Sequence, residues 1–195
     1  MKLMIDLYSG LGGASEAFVL GPNPWAVLRY ENNPALADIP YTTLCDLTDF
    51  DIHIRHRVDL IWASPPCTDF SRGFHAPGPT AEREGRDFEP SLDLVNRAIE
   101  IIEELAPTYW IIENVIGAIK HFEPILGEPR QIIGPFVLWG NFPLIDVDRD
   151  MKHTKAEIDP GSTHPLRANV RGKIPIELSQ ALRRVCEQQT TLTSW

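Results

Sequence analysis

The chain has 195 residues, 43% of them apolar, and a formal net charge of −9. That length and apolar share suit one globular domain with a sizeable core, and the acidity argues against binding that rests on extensive neutralisation of duplex phosphates. No run of about 18 apolar residues occurs, so no membrane helix is expected. The first strand is expected to start within about three residues of Met1, so no secretory leader is expected. Cys45, Cys67 and Cys186 lack metal-ligand spacing, and the histidines form no ligand cluster. The expectation is a cytoplasmic chain with reduced thiols and no metal.

In chain order, residues 4–7 read as a buried strand that runs into Tyr8-Ser9-Gly10-Leu11-Gly12-Gly13, with a helix over 14–20. Glycines in such a turn admit positive φ and let backbone approach a ligand. The helix start then offers unpaired N–H groups. The spacing fits neither the dinucleotide fingerprint nor the phosphate loop. Residues 25–30 predict a second strand ending at Glu31-Asn32, and Asn33-Pro34 opens a helix through residue 38. A short third strand over 42–44 ends at Cys45-Asp46.

Residues 58–63 are β-branched and aromatic enough to be another buried strand. Pro65 and Pro66 stop it by removing backbone donors, and they stiffen the loop that carries Cys67. A thiol at the carboxyl end of a parallel strand lies where open α/β sheets place their ligands. Residues 68–90 show no periodicity and contain Gly73, Pro77, Gly78, Pro79, Gly85 and Pro90. A loop of that length is functional or mobile. Ser91 caps a helix with Leu94, Val95, Ala98, Ile99, Ile102 and Leu105 on one face. Residues 109–115 form a strand that ends in Glu113 and Asn114, at the edge shared with Cys67 if the strands are parallel. A short helix follows. Residues 136–139 and 143–147 predict a hairpin around Gly140-Asn141, and Pro175 opens a last helix with Leu178, Ala181, Leu182 and Val185 on one face. Alternating strands and helices imply an α/β fold, a mostly parallel sheet with helices on both faces.

Three of these segments resemble, in kind and in order, the DNA cytosine-C5 methyltransferase family. Asp6 to Gly13 matches D-x-F-x-G-x-G-G with Tyr8 as the aromatic. Pro65-Pro66-Cys67 matches the catalytic P-P-C, and Glu113-Asn114-Val115 matches E-N-V. The likeness covers residues 1–146 well and loosens beyond. It implies a single-domain, Rossmann-like class I methyltransferase with a seven-stranded, mostly parallel sheet and a terminal antiparallel hairpin. It implies methyl transfer from S-adenosylmethionine to carbon 5 of cytosine in DNA, with Cys67 as nucleophile and Glu113 as acid. The donor would lie on Asp6, Tyr8, Ser9, Gly10, Leu11, Gly12 and Gly13, with Tyr8 facing the adenine region, Glu31 at the ribose, Asn32 following it, Asp46 at the adenine amine, and Leu47 and Pro65 also in the donor site. The acceptor would meet Ser64, Pro66, Ser71, Asn114, Val115 and Arg130, the last being the nearest match to the family's Q-x-R-x-R arginine.

The likeness also implies a target-recognition domain between the last hairpin and the final helix. Residues 149–173 are too few for one. They form a short basic loop, with six Lys/Arg (149, 152, 155, 167, 171, 173) against three acids and with His153 and His164. A single domain over 1–195 is therefore expected, with relaxed sequence preference, single-stranded DNA among its acceptors, or a protein partner that supplies specificity. The family's G-N-S-V is replaced by Gly172-Lys173-Ile174-Pro175. Lys173 opens the alternative of a carboxylated S-adenosylmethionine and carboxymethyl transfer. The same chemistry on RNA or a free nucleotide is a further alternative. A catalytically silent binding module is another, against which the retention of both Cys67 and Glu113 argues.

Overall fold

The hydrophobic run Leu3–Leu7 forms β1, buried along its whole length. Buried strands of this kind sit in the middle of parallel sheets with both faces covered, and β1 does. It pairs in parallel with β2 (Ala26–Glu31) on one side and β4 (Leu60–Ala63) on the other. Beyond β2 lies β3 (Thr42–Leu44), and beyond β4 lies β5 (Tyr109–Val115), both parallel. Then β7 (Phe136–Asn141) pairs antiparallel with β5, and β6 (Gln131–Ile133) antiparallel with β7. The order is β3-β2-β1-β4-β5-β7-β6. The computed structural model describes residues 1–22, 25–147 and 164–192.

The period-two alternation of each strand builds two cores. Leu3, Ile5, Leu7, Ile61, Ala63 and Ile112 face α3 (Asp93–Leu105) and α4 (Ile119–Leu126) through Val95, Ala98, Ile102 and Phe122. Met4, Leu60, Trp62 and Ile111 face α1 (Glu16–Leu20) and α6 (Ile176–Leu192) through Phe18, Leu178, Ala181 and Leu182. The chain leaves β1 toward β2 and later returns to β4 on the opposite side. The switch point of the sheet therefore lies between β1 and β4, where open α/β sheets carry a crevice at the carboxyl ends of the strands. The glycine turn after β1 and the Pro65-Pro66-Cys67 loop after β4 flank it. No helix among the described residues is long and apolar enough to cross a membrane.

Four local expectations are corrected. The hairpin lies one strand earlier than read: it joins β6 to β7, with Gly134 at φ +56 in the turn. Gly140 is instead part of β7, where a Cβ would stand 2.1 Å from the Trp110 carbonyl oxygen. It is a close-approach glycine, not a turn glycine. The helix expected from Asn33 to residue 38 is one 3-10 turn, Pro34–Leu36, started by Asn33 accepting from the Ala35 N–H. The aperiodic stretch after Cys67 contains α2 (Pro77–Arg83); its prolines occupy the first turn, where no intrahelical donor is lost. Of the predicted basic loop, residues 149–163 lie outside the described residues, and Arg167–Gly172 form α5.

Candidate active site at the carboxyl edge of the sheet

On the β1 side, the turn is shaped by backbone. Tyr8, Gly10 and Gly12 all adopt positive φ (57, 54 and 71°), a region that costs a non-glycine residue free energy. Tyr8 is held there by its hydroxyl, which donates to the Leu94 carbonyl of α3 at 2.8 Å. Burial pushes its phenol well above its usual range. Glu31, at the end of β2 and buried, accepts from the Gly10 N–H at 2.8 Å through one oxygen and from the Asn32 and Asn33 N–H groups through the other. The Ser9 hydroxyl is buried with no hydrogen-bond partner, an open polar position inside the turn. Leu11 is half-buried beside it, and Asn32 is exposed. Gly13 packs so closely on Ile174 that a Cβ would stand 2.4 Å from that carbonyl oxygen.

Beneath the turn lies a relay. The Arg29 Nε donates to Ser15 Oγ at 2.8 Å, and Ser15 Oγ donates to Asp6 Oδ2 at 2.5 Å. Another Arg29 nitrogen reaches the Gly12 carbonyl and a third the Pro40 carbonyl. Burial raises the Asp6 carboxyl to about 7, against the opposing pull of Ser15 and Arg29. Asp6 thus supports the turn from below, through Ser15 and Arg29. Asp46, after β3, is exposed and bound by the Thr48 N–H and hydroxyl, which lower its pKa. Leu47 turns its side chain into the core, while its carbonyl accepts from Arg97.

On the β4 and β5 side, the functional groups are side chains. Cys67 is exposed and carries a thiol. It opens a 3-10 turn, Thr68–Phe70, whose Phe70 is buried edge-to-face on Phe122, with ring centroids 5.0 Å apart. The Phe70 carbonyl passes over Gly117, where any Cβ would come within 1.9 Å of it. Asn114 ties the same two loops together, donating to the Pro65 carbonyl at 2.9 Å while accepting from the Val115 N–H. Glu113 is 8% exposed, and burial raises it to about 7. Ser64 donates to Glu113 Oε2 at 2.8 Å and accepts from Trp62 Nε1 at 2.7 Å. A cavity of about 110 Å³ opens between Pro65, Pro66 and Asp69 on one side and Ser91, Leu94 and Val95 on the other. A larger one, about 350 Å³, lies between α1 and α6 and is lined by none of the predicted site residues.

The structure thus joins Ser64, Pro65, Glu113 and Asn114 into one hydrogen-bonded unit that carries the Cys67 loop, and Gly10, Glu31 and Asn32 into a second. Ser71, in the loop beyond Cys67, accepts from the Gly73 N–H. Arg130 stands apart from both units. It precedes β6, and its Nε donates to the Phe142 carbonyl at 2.6 Å with the guanidinium over the Phe142 ring, toward the opposite end of the sheet. Lys173 pairs with Glu16 at 2.8 Å. Sequence reading missed Arg29, Ser15, Trp62 and Gly117. It also missed Asn169 of α5, whose amide nitrogen lies 3.9 Å from where a Cβ on Gly10 would be. Only the pairing of Asp6 opposite Arg29 exposes the first two.

Residues 3–126 match the family described as C-5 cytosine-specific DNA methylase. A Frog virus 3 (isolate Goorha) protein named "Probable DNA (cytosine-5)-methyltransferase" is 32% identical over 117 residues, 57% of this chain. The chain spans about half of that relative, 52% of its length. The solved structure of the Entamoeba histolytica methyltransferase EhMeth shares the fold, with a TM-score of 0.50 at 14% identity over 84% of this chain and 61% of that one.

Proposed function

The chain belongs to the C-5 cytosine-specific DNA methylase family, and from that premise we propose that it transfers a methyl group from S-adenosylmethionine to carbon 5 of cytosine in DNA. The observation that carries the reading is that the Asn114–Pro65 hydrogen bond ties the loop of an exposed thiol to the strand end that holds a buried carboxyl raised to about 7. A carboxyl with that pKa holds a proton for part of the time near neutrality, as a general acid must.

The residues present fit the donor. Glu31 offers a fixed carboxylate at the end of β2, the Ser9 hydroxyl is an unused polar group in the turn, and the backbone from Ser9 to Gly13 is open to close approach. S-adenosylmethionine, when bound, supplies an electrophilic sulfonium methyl. The chain's own part is to activate the ring. The Cys67 thiolate forms a bond to carbon 6, and the displaced electron pair gives carbon 5 nucleophilic character. Glu113 delivers its proton to ring N3, neutralising the charge that builds there. After carbon 5 has gained the methyl, it gives its proton to a base. The carbon 6–sulfur bond then breaks, N3 returns its proton to Glu113, and the ring is restored. Arg130 has no part in this proposal. Lys173 is already held by Glu16, and among the described residues nothing at the carboxyl edge favours a carboxylated donor.

The short span between β7 and α6 suits an acceptor that is not read through a groove. Duplex specificity takes several base-edge contacts, each worth about 1–3 kcal/mol, and a single-stranded acceptor removes the cost of flipping the base. Labelled donor is incubated with duplex DNA, single-stranded DNA, RNA or dCMP, and the digested nucleosides are identified by mass. The expected product is 5-methylcytosine from DNA, with single-stranded or mismatched DNA modified at least as well as matched duplex. A strict motif of about four or more base pairs with inert single strands would overturn the acceptor reading. Label in any other nucleoside would overturn the reaction.

A further inference from the structure

We propose that Ser64 is a positioning residue that decides which oxygen of the Glu113 carboxyl carries the transferable proton, an inference that rests on Glu113 being the acid at the cytosine ring. An indole N–H can only donate, and a serine hydroxyl has a single proton. Trp62 is fully buried and aims Nε1 at Ser64 Oγ. With that oxygen already accepting, the Ser64 proton goes to Glu113 Oε2. Oε2 is thereby fixed as an acceptor, and a proton on the neutral carboxyl resides on Oε1. If Oε2 carried the proton instead, two donors would face Ser64, and the hydroxyl proton would lose the carboxyl partner it has here.

Strand geometry sets the relay. Trp62 and Ser64 lie two residues apart and so share a face of β4, the face that Glu113 shares with Ile111 on the adjacent β5. From β7, Leu138 stands opposite Glu113, and among the described residues no charged side chain contributes to the carboxyl's shift. The titratable groups brought to the same edge include Cys67 in the loop after β4, Glu31 at the end of β2, and Arg72, whose Cγ lies 3.4 Å from a Cβ position on Gly117. Among the described residues, Ser64 is therefore the polar contact that holds down a carboxyl raised by burial. Its effect is directional: it favours the ionised form and aims the neutral one.

The test is an infrared titration of the Glu113 carboxyl, isolated by subtracting the spectrum of Glu113→Gln, combined with pH profiles of methyl transfer. Ser64→Ala should move the Glu113 midpoint upward by about one pH unit, a tenfold change in its protonation equilibrium. It should lower kcat about tenfold with the KM for DNA unchanged, and carry the alkaline limb of the kcat profile upward with the midpoint. Ser64→Thr, which keeps the hydroxyl, should restore both. Trp62→Phe, which leaves Ser64 intact but frees its hydroxyl to rotate, should also raise the midpoint. This second variant keeps the test decisive if Ser64→Ala does not fold. An unchanged midpoint in Ser64→Ala or in Trp62→Phe would overturn the proposal. A shifted midpoint in a protein that methylates no cytosine would support the relay and overturn the reaction on which its catalytic role rests.

Discussion

The two sides of the crevice contain the same three-member relay put to different use. Under the β1 turn, Arg29 donates to Ser15, which donates to Asp6; at the end of β4, Trp62 donates to Ser64, which donates to Glu113. Both carboxyls are buried and both are raised to about 7. The difference lies in the terminal donor and in what else it touches. Arg29 is charged, pulls against the rise at Asp6, and also binds the Gly12 and Pro40 carbonyls, so its relay braces a loop. Trp62 is neutral and gives its N–H to the serine, and Glu113 sits with Asn114 beside the Cys67 loop. In the proposed reaction, one relay shapes backbone for the donor and the other aims an acid at the acceptor.

Glu113→Gln should break the contrast most sharply. Glutamine keeps the shape without the proton, and a rate loss of roughly two to four orders of magnitude is expected with donor affinity retained. Single-turnover kinetics beside calorimetric donor binding would show it. A loss below about tenfold would reduce Glu113 to a contact. Arg29→Leu should show the reverse pattern. A buried hydrogen bond to a charged group contributes about 1.5–3 kcal/mol, so donor affinity should fall about tenfold or more while kcat at saturating donor changes little. A kcat loss with unchanged donor affinity would merge the two relays into one function.

Gly117→Ala probes the interlock of the loops after β4 and β5. The new Cβ would strike the Phe70 carbonyl, and such overpacking costs about 1–3 kcal/mol. A melting temperature lowered by several degrees is expected, together with slower transfer because the turn that starts at Cys67 must move. Gly172→Ala, at a glycine without positive φ and with nothing within 4 Å of its Cβ, serves as the comparison. The smallest effect is on stability against pH. Asp6 and Glu113 titrate near 7 in the fold and near about 4 in an unfolded chain. The native state therefore keeps protons that the unfolded chain releases, and their contribution is full below about pH 4 and lost as pH rises toward 7. Melting curves should show a shallower decline for Asp6→Asn and for Glu113→Gln over that window. Asp46, whose pKa Thr48 lowers, acts in the opposite sense and loses its contribution only as pH falls through its lowered value.

The parts of this site that were legible in the sequence are those written in contiguous residues. Buried runs bounded by glycine or proline located β1, β4 and β5, and Cys67, Glu113 and the glycine turn follow directly from where those strands end. The parts that were illegible depend on register. Arg29 reads as a polar residue inside a strand until pairing sets it opposite Asp6. Ser64 reads as a loop residue until β5 lies beside β4. Gly140 and Asn141 carry the composition of a hairpin turn, yet the close approach of Trp110 uses that glycine inside β7. Prolines that break helices in their interior concealed α2, because these sit in its first turn.

The central claim is that Cys67 attacks carbon 6 of cytosine. DNA carrying 5-fluorocytosine traps that step, since carbon 5 then has no proton to release and the carbon–sulfur bond cannot break. Incubation with S-adenosylmethionine, followed by protease digestion and mass analysis, should find the methylated fluorocytosine attached to the peptide containing Cys67, and no adduct with Cys67→Ala. An adduct on Cys45 or Cys186, or turnover by Cys67→Ala near the wild-type rate, would contradict it.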